Sequence, residues 1–148
     1  GKMLPNFVLL RQLLRSLRLL LQHCSKVGAL IFIEWPASCT LWKHSEVKKL
    51  LKQYGLCITR FDGCAFGLTS IAPDTLGRPI KKPWQGATNS PTFARLLEVK
   101  CQGHPSNCKH TPCQGVDTKR TEGYTPALAQ HVHKLLALRH ASTYYVSF

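Results

Sequence analysis

From Phe7 to Gln22 the chain reads FVLLRQLLRSLRLLLQ, with Leu10, Leu13, Leu14, Leu17, Leu20 and Leu21 at helical spacing and Arg11, Arg15 and Arg18 on another face. This pattern predicts an amphipathic helix over residues 6–24 that packs its leucine face on a sheet. Gly28 closes that helix, and Ala29-Leu30-Ile31-Phe32-Ile33 is a continuous apolar run. Such a run suits a strand buried on both faces of a parallel sheet. Ser45 is placed to cap a helix through Tyr54 that stops at Gly55, and Leu56 to Phe61 reads as the next strand. A strand, a helix and a strand in that order predict a βαβ unit, with Ile31, Phe32 and Ile33 adjacent and parallel to Ile58 and Phe61.

Beyond Leu68 the pattern changes to a turn-rich loop over residues 69–78, then to a short strand-like stretch from Pro79 to Thr88. Its prolines predict an edge position. Asn89 or Ser90 can cap a helix with Pro91 first, running through Phe93, Leu96, Leu97 and Val99. A Cys/His loop occupies residues 101–123, and a final helix spans 125–140. The whole chain, 1–148, is thus expected to form one α/β domain with its βαβ-containing core in 29–100. No internal repeat interrupts it.

Charge adds a second layer. Twenty Lys and Arg against seven Asp and Glu give +13 over 148 residues, a balance that attracts nucleic acid and other polyanions or merely keeps a basic protein soluble. Lys48, Lys49 and Lys52 share a helical surface, and Lys81-Lys82 and Lys119-Arg120 are tight pairs. The cysteine count is seven, an odd number, and Cys24, Cys39, Cys57 and Cys64 sit in apolar segments. Buried thiols in a reducing compartment, cytosol or nucleus, follow more readily than a disulfide framework. The N-terminal helix carries three arginines, too many for a secretory core or a membrane span. A mitochondrial presequence is the alternative reading of that Arg-rich, acid-free segment.

The densest chemistry lies in CQGHPSNCKHTPCQG, where Cys101, His104, Cys108, His110 and Cys113 follow a C-x2-H-x3-C-x-H-x2-C pattern. Short spacings of this kind can return several soft ligands to one tetrahedral ion, which makes zinc a candidate cofactor. A surface loop or a set of redox thiols are the alternatives. By contrast, Cys64 follows Gly63 at a strand tip as a candidate nucleophile, without a histidine that the sequence places beside it.

The strand end Ile33-Glu34-Trp35-Pro36, the tip Asp62-Gly63-Cys64-Ala65-Phe66-Gly67-Leu68 and the basic Lys81-Lys82-Pro83-Trp84 together resemble the C-terminal half of a class I methyltransferase fold. They are most similar to cytosine-5 DNA methyltransferases. The resemblance implies a partial Rossmann-like parallel sheet, with Glu34 and Asp62 side by side beyond the strand ends. Glu34 would hydrogen-bond and protonate the ring of a target base and Trp35 would stack on it, while Lys81, Lys82, Trp84, Lys119 and Arg120 would meet nucleic acid. The motifs Glu-Trp-Pro, Asp-Gly-Cys-x-x-Gly, Lys-Pro-Trp and Cys-x-Gly-His are also similar to uncharacterised eukaryotic reading frames, some carried by mobile elements, over about residues 28–133; these bring no activity with them.

The chain departs from the methyltransferase pattern in two places. No G-x-G turn precedes Ala29, and Pro112-Cys113-Gln114, the only match to the family's nucleophile motif, lies downstream of Glu34 instead of upstream. The chain alone is therefore expected neither to bind S-adenosylmethionine nor to methylate, the missing N-terminal half of the polypeptide being needed for that. Two functions follow: a methyltransferase-like fragment binding nucleotide or nucleic acid at a strand-end cleft, or a non-enzymatic basic module stapled by a zinc-binding loop.

Overall fold

The computed structural model describes residues 3–103 and 109–143. Helix α1 (Met3–Lys26) ends as predicted at Gly28, whose φ of 65° turns the chain so that the Ala29 N–H donates to the Cys24 carbonyl. Strand β1 (Phe32–Pro36), helix α2 (Ser45–Gln53) and strand β2 (Cys57–Asp62) follow in the expected order. The cap of α2 is His44, not Ser45, since its Nδ1 accepts from the Glu46 N–H at 3.3 Å. Strand β3 (Pro83–Thr88) leads into α3 (Pro91–Leu97), which Ser90 caps by accepting from the Phe93 N–H. The short α4 (Val116–Arg120) and the long α5 (Pro126–Thr143) complete the set.

The three strands lie in the order β1-β3-β2, and β3 is antiparallel to both neighbours. This overturns the expected Rossmann-like parallel sheet. β1 and β2 run in one direction, as their common pairing with β3 requires, but a strand separates them. The stretch predicted at an edge is the centre, and Trp84 to Thr88 are all buried. Three features disguised it. Pro83 is tolerated because it is the first residue of the strand, where a missing N–H is least damaging. Gln85 is satisfied inside by Arg60, whose Nε donates to its Oε1 at 2.8 Å. Gly86 makes room for the Phe32 ring: a Cβ there would sit 2.5 Å from a ring carbon. The apolar run that suggested a doubly buried strand begins pairing only at Phe32. Ahead of it, the Asn89 side chain accepts from the Ile31 N–H and donates to the Ala29 carbonyl.

Alternation along the strands divides the core in two. Phe61 and Trp84 pack with Phe66, Leu68, Ile80, Phe93 and Leu97, under Leu128 and Leu135 of α5. On the opposite face Ile33, Trp35 and Ala87 meet Leu21 of α1, Trp42, and Leu50 of α2. The sheet thus lies between two helical layers. The leucine face of α1 packs as expected only through its C-terminal turns, where Leu17, Leu21 and Cys24 reach the core, whereas Phe7, Leu9, Leu13 and Leu20 are exposed. Among the described residues no helix is long and apolar enough to cross a membrane.

The close approach at the centre of the sheet gives the first test. Gly86→Ala forces the methyl against the buried Phe32 ring, and the expected loss is about 1–3 kcal/mol in urea unfolding, as for other overpacked cores. Adding Phe32→Leu should recover part of it. A Gly86→Ala protein as stable as the parent would show that the ring moves aside freely.

Candidate metal centre

β2 ends at Asp62, and a one-turn 3-10 helix, Gly63–Phe66, carries Cys64. That tip is held tightly. The Gly63 N–H donates to the Lys82 carbonyl at 2.8 Å, and the Leu68 N–H donates to the Gly63 carbonyl. Asp62 then clamps the segment leaving α3: its N–H donates to the Val99 carbonyl, and its carboxylate accepts from the Cys101 N–H, both at 3.0 Å. A third segment arrives through Thr111, whose N–H donates to the Pro79 carbonyl at 2.9 Å and which bridges to Ile80.

These three anchors bring Cys64, Cys101 and His110 together. His110 Nε2 lies 3.3 Å from Cys64 Sγ and 3.4 Å from Cys101 Sγ, and the three candidate ligand atoms all fall within 4.8 Å of one another. Such a group could hold a metal ion. Burial pushes the Cys64 thiol up to about 11, with the neighbouring Cys101 thiol and the Asp62 charge adding to it. A divalent cation reverses that balance by favouring thiolates over thiols.

The sequence-derived candidates divide around this centre. Cys101 and His110 belong to it, and Cys64, read as a nucleophile, stands beside them; the histidine absent from its sequence neighbourhood is His110, 46 positions away. Cys113 lies elsewhere, its Sγ 3.0 Å from Thr121 Oγ1. His104 and Cys108 lie outside the described residues. Asp62 is buried and its carboxylate serves the Cys101 backbone, a role that only the fold reveals.

Glu34 occupies a separate setting. It pairs with Gly86 while Asp62 pairs with Pro83, on opposite sides of β3, so the two acids do not form the expected side-by-side pair. Tyr124 donates to Glu34 Oε2 at 2.5 Å, and the carboxylate borders an apolar cavity of about 220 Å³ lined by Phe32, Phe61, Leu128 and Val132. Its other oxygen, Oε1, is buried and has no hydrogen-bond partner among the described residues. Burial therefore raises the Glu34 pKa, against the Tyr124 hydrogen bond and the nearby charge of Lys82. Lys82 is itself committed: Nζ donates to the Thr121 carbonyl at 2.7 Å and to its hydroxyl at 3.2 Å.

Of the aromatic candidates, Trp35 packs on Trp42 with centroids 4.6 Å apart. Trp84 is buried between Phe61 and Tyr124 and offers no free ring face. Lys81, Lys119 and Arg120 are exposed. The Lys82 anchor on Thr121 ties the first basic pair to the second.

Tyr124→Phe tests the carboxylate's surroundings. The folded protein disfavours ionised Glu34, so this group costs stability as pH rises through its folded pKa. Losing the donor that favours the ionised form should move that pKa higher still. A carbon-detected NMR titration of the Glu34 carboxyl measures it, and an unchanged or lower value would refute the account.

No protein-family model matches this chain, and neither a curated protein nor a solved structure shows significant similarity to it.

Proposed function

We propose that this chain is a non-enzymatic basic module in which zinc staples the Cys/His segment to the end of the sheet, leaving a cationic surface for nucleic acid. The observation that carries the reading is the convergence of Cys64, Cys101 and His110 from three separate segments. Two sulfurs and an imidazole nitrogen are a ligand set typical of zinc. For a fourth ligand the sequence offers His104 and Cys108 as candidates. Asp62 orients Cys101 from behind through the backbone N–H, as outer partners do in many metal sites. Bound zinc would supply a crosslink and no reaction, joining β2, the exit of α3 and the loop before α4. Its binding energy becomes folding energy for that region.

The net charge of +13 raises the local concentration of polyanions, and Lys81, Lys119 and Arg120 are exposed near the Lys82–Thr121 anchor. The buried Trp84 does not contribute a stacking surface, so recognition rests on phosphates and carries little sequence preference.

Purified protein should carry about one equivalent of zinc. Cys64→Ser should lose it, Cys113→Ser should keep it, and comparison of His104→Ala with Cys108→Ser identifies the fourth ligand. Chelation should lower the melting temperature. A metal-free protein, or full zinc content in Cys64→Ser, would sink the proposal.

For the surface, fluorescence anisotropy with a labelled duplex should show affinity falling as salt rises. The Lys119→Ala/Arg120→Ala variant should lower the salt slope by roughly one per phosphate contact removed. An unchanged slope would place the nucleic-acid contact elsewhere.

A further inference from the structure

α1 carries more apolar surface than the fold covers. Leu21 is buried, Leu17 and Cys24 pack on the core, and Arg18 Nη2 reaches Glu46 Oε2 at 2.9 Å, so this side of the helix faces the body. Leu9, Leu13 and Leu20 share a neighbouring flank at about 3.6 residues per turn. They are 61, 43 and 59 % exposed; Phe7, Val8 and Leu19 are exposed as well, at other positions around the helix. A run of large side chains in water along one flank marks a surface meant for contact.

The polar side says with what. Met3 to Lys26 contains no acidic residue, and among the described residues the ion pairs are Arg18–Glu46 and Lys49–Glu46, which leaves Arg11 and Arg15 without an acidic partner. We infer that α1 is an interfacial helix that lays its Leu9–Leu13–Leu20 flank into the surface of an anionic lipid bilayer. The leucines enter the boundary between headgroups and acyl chains, while the guanidinium groups, on long flexible stems, meet lipid phosphates. Charge prevents the helix from going deeper, in keeping with its failure to qualify as a membrane span.

Other occupants answer fewer of these features. A second copy of α1 would bring two acid-free, arginine-bearing helices together with no opposite charge to pair. Ser16 would then lie in the seam between Leu13 and Leu20, where a coiled coil needs an apolar side chain. Nucleic acid would engage the arginines and leave the leucines in water. The inference goes beyond the zinc reading and does not rest on it.

Co-sedimentation of the full chain with vesicles tests it, using phosphatidylcholine alone and phosphatidylcholine mixed with phosphatidylglycerol. Binding is expected on the mixed vesicles, weak on the neutral ones, and reduced by salt. The decisive variant is Leu9→Ser/Leu13→Ser/Leu20→Ser, which removes no charge and touches side chains outside the core. It should weaken binding to the mixed vesicles by about tenfold or more. Arg11→Gln/Arg15→Gln should weaken binding to the mixed vesicles and leave the residual binding to neutral ones unchanged. Three results would overturn the inference: equal binding of the parent to both vesicle types, undiminished binding by the leucine variant, or sedimentation equilibrium showing a dimer that the leucine variant abolishes without any vesicle binding. An unchanged melting temperature for both variants confirms that the fold is intact.

Discussion

The pairing of β3 along both of its edges is the constraint on which the rest depends. β1 and β2 touch each other nowhere in the ladder; each is registered only against β3. Gly86 is the tightest point of that arrangement, since Phe32 lies over it and Thr59 comes within reach of the same space. With β3 in place, the two core clusters form on opposite faces and the helices sort themselves accordingly, α1 and α2 with one, α3 and α5 with the other.

The convergence of Cys64, Cys101 and His110 is a consequence of the same constraint. β3 fixes the end of β2 through the Asp62–Pro83 register and the Gly63–Lys82 hydrogen bond, so Cys64 cannot wander. Asp62 then transmits that position to Cys101, and the Ile80–Thr111 bridge brings in His110. A zinc ion would therefore reinforce contacts that the backbone already makes. Burial, and after it the crowded Cys101 thiol, raises the Cys64 pKa, a cost that a bound cation would relieve. Glu34, by contrast, is isolated from this centre on the far strand, with Tyr124 as its donor. Its setting is that of a partly buried carboxylate beside an apolar cavity.

Local patterns are legible where the signal is local. The leucine periodicity of α1, the Gly28 and Gly55 stops, and the Ser90-Pro91 start of α3 all depend on neighbours within a turn of helix. The Cys/His loop likewise announced itself by spacing, and Cys101 and His110 lie together in the fold. Cys64 could have been recognised as their companion from one clue only, a buried thiol at a glycine-flanked strand tip. That clue is shared with any ordinary core cysteine.

What the sequence determined by itself was the list and order of the elements up to β2, the positive charge, and the presence of a soft-ligand cluster. These follow from side-chain periodicity and composition, which tertiary packing does not alter. Tertiary structure alone decided the direction and order of the strands, because a polar-looking stretch with Gln85, Gly86 and Thr88 becomes a central strand only when partners satisfy it: Arg60 for Gln85, and the Phe32 ring for the space at Gly86. It also decided how much of α1 is covered. Periodicity shows that a helix has an apolar face, but how far the body extends along that face is set by the size of the core on which it packs, and here Leu9, Leu13 and Leu20 are left outside it.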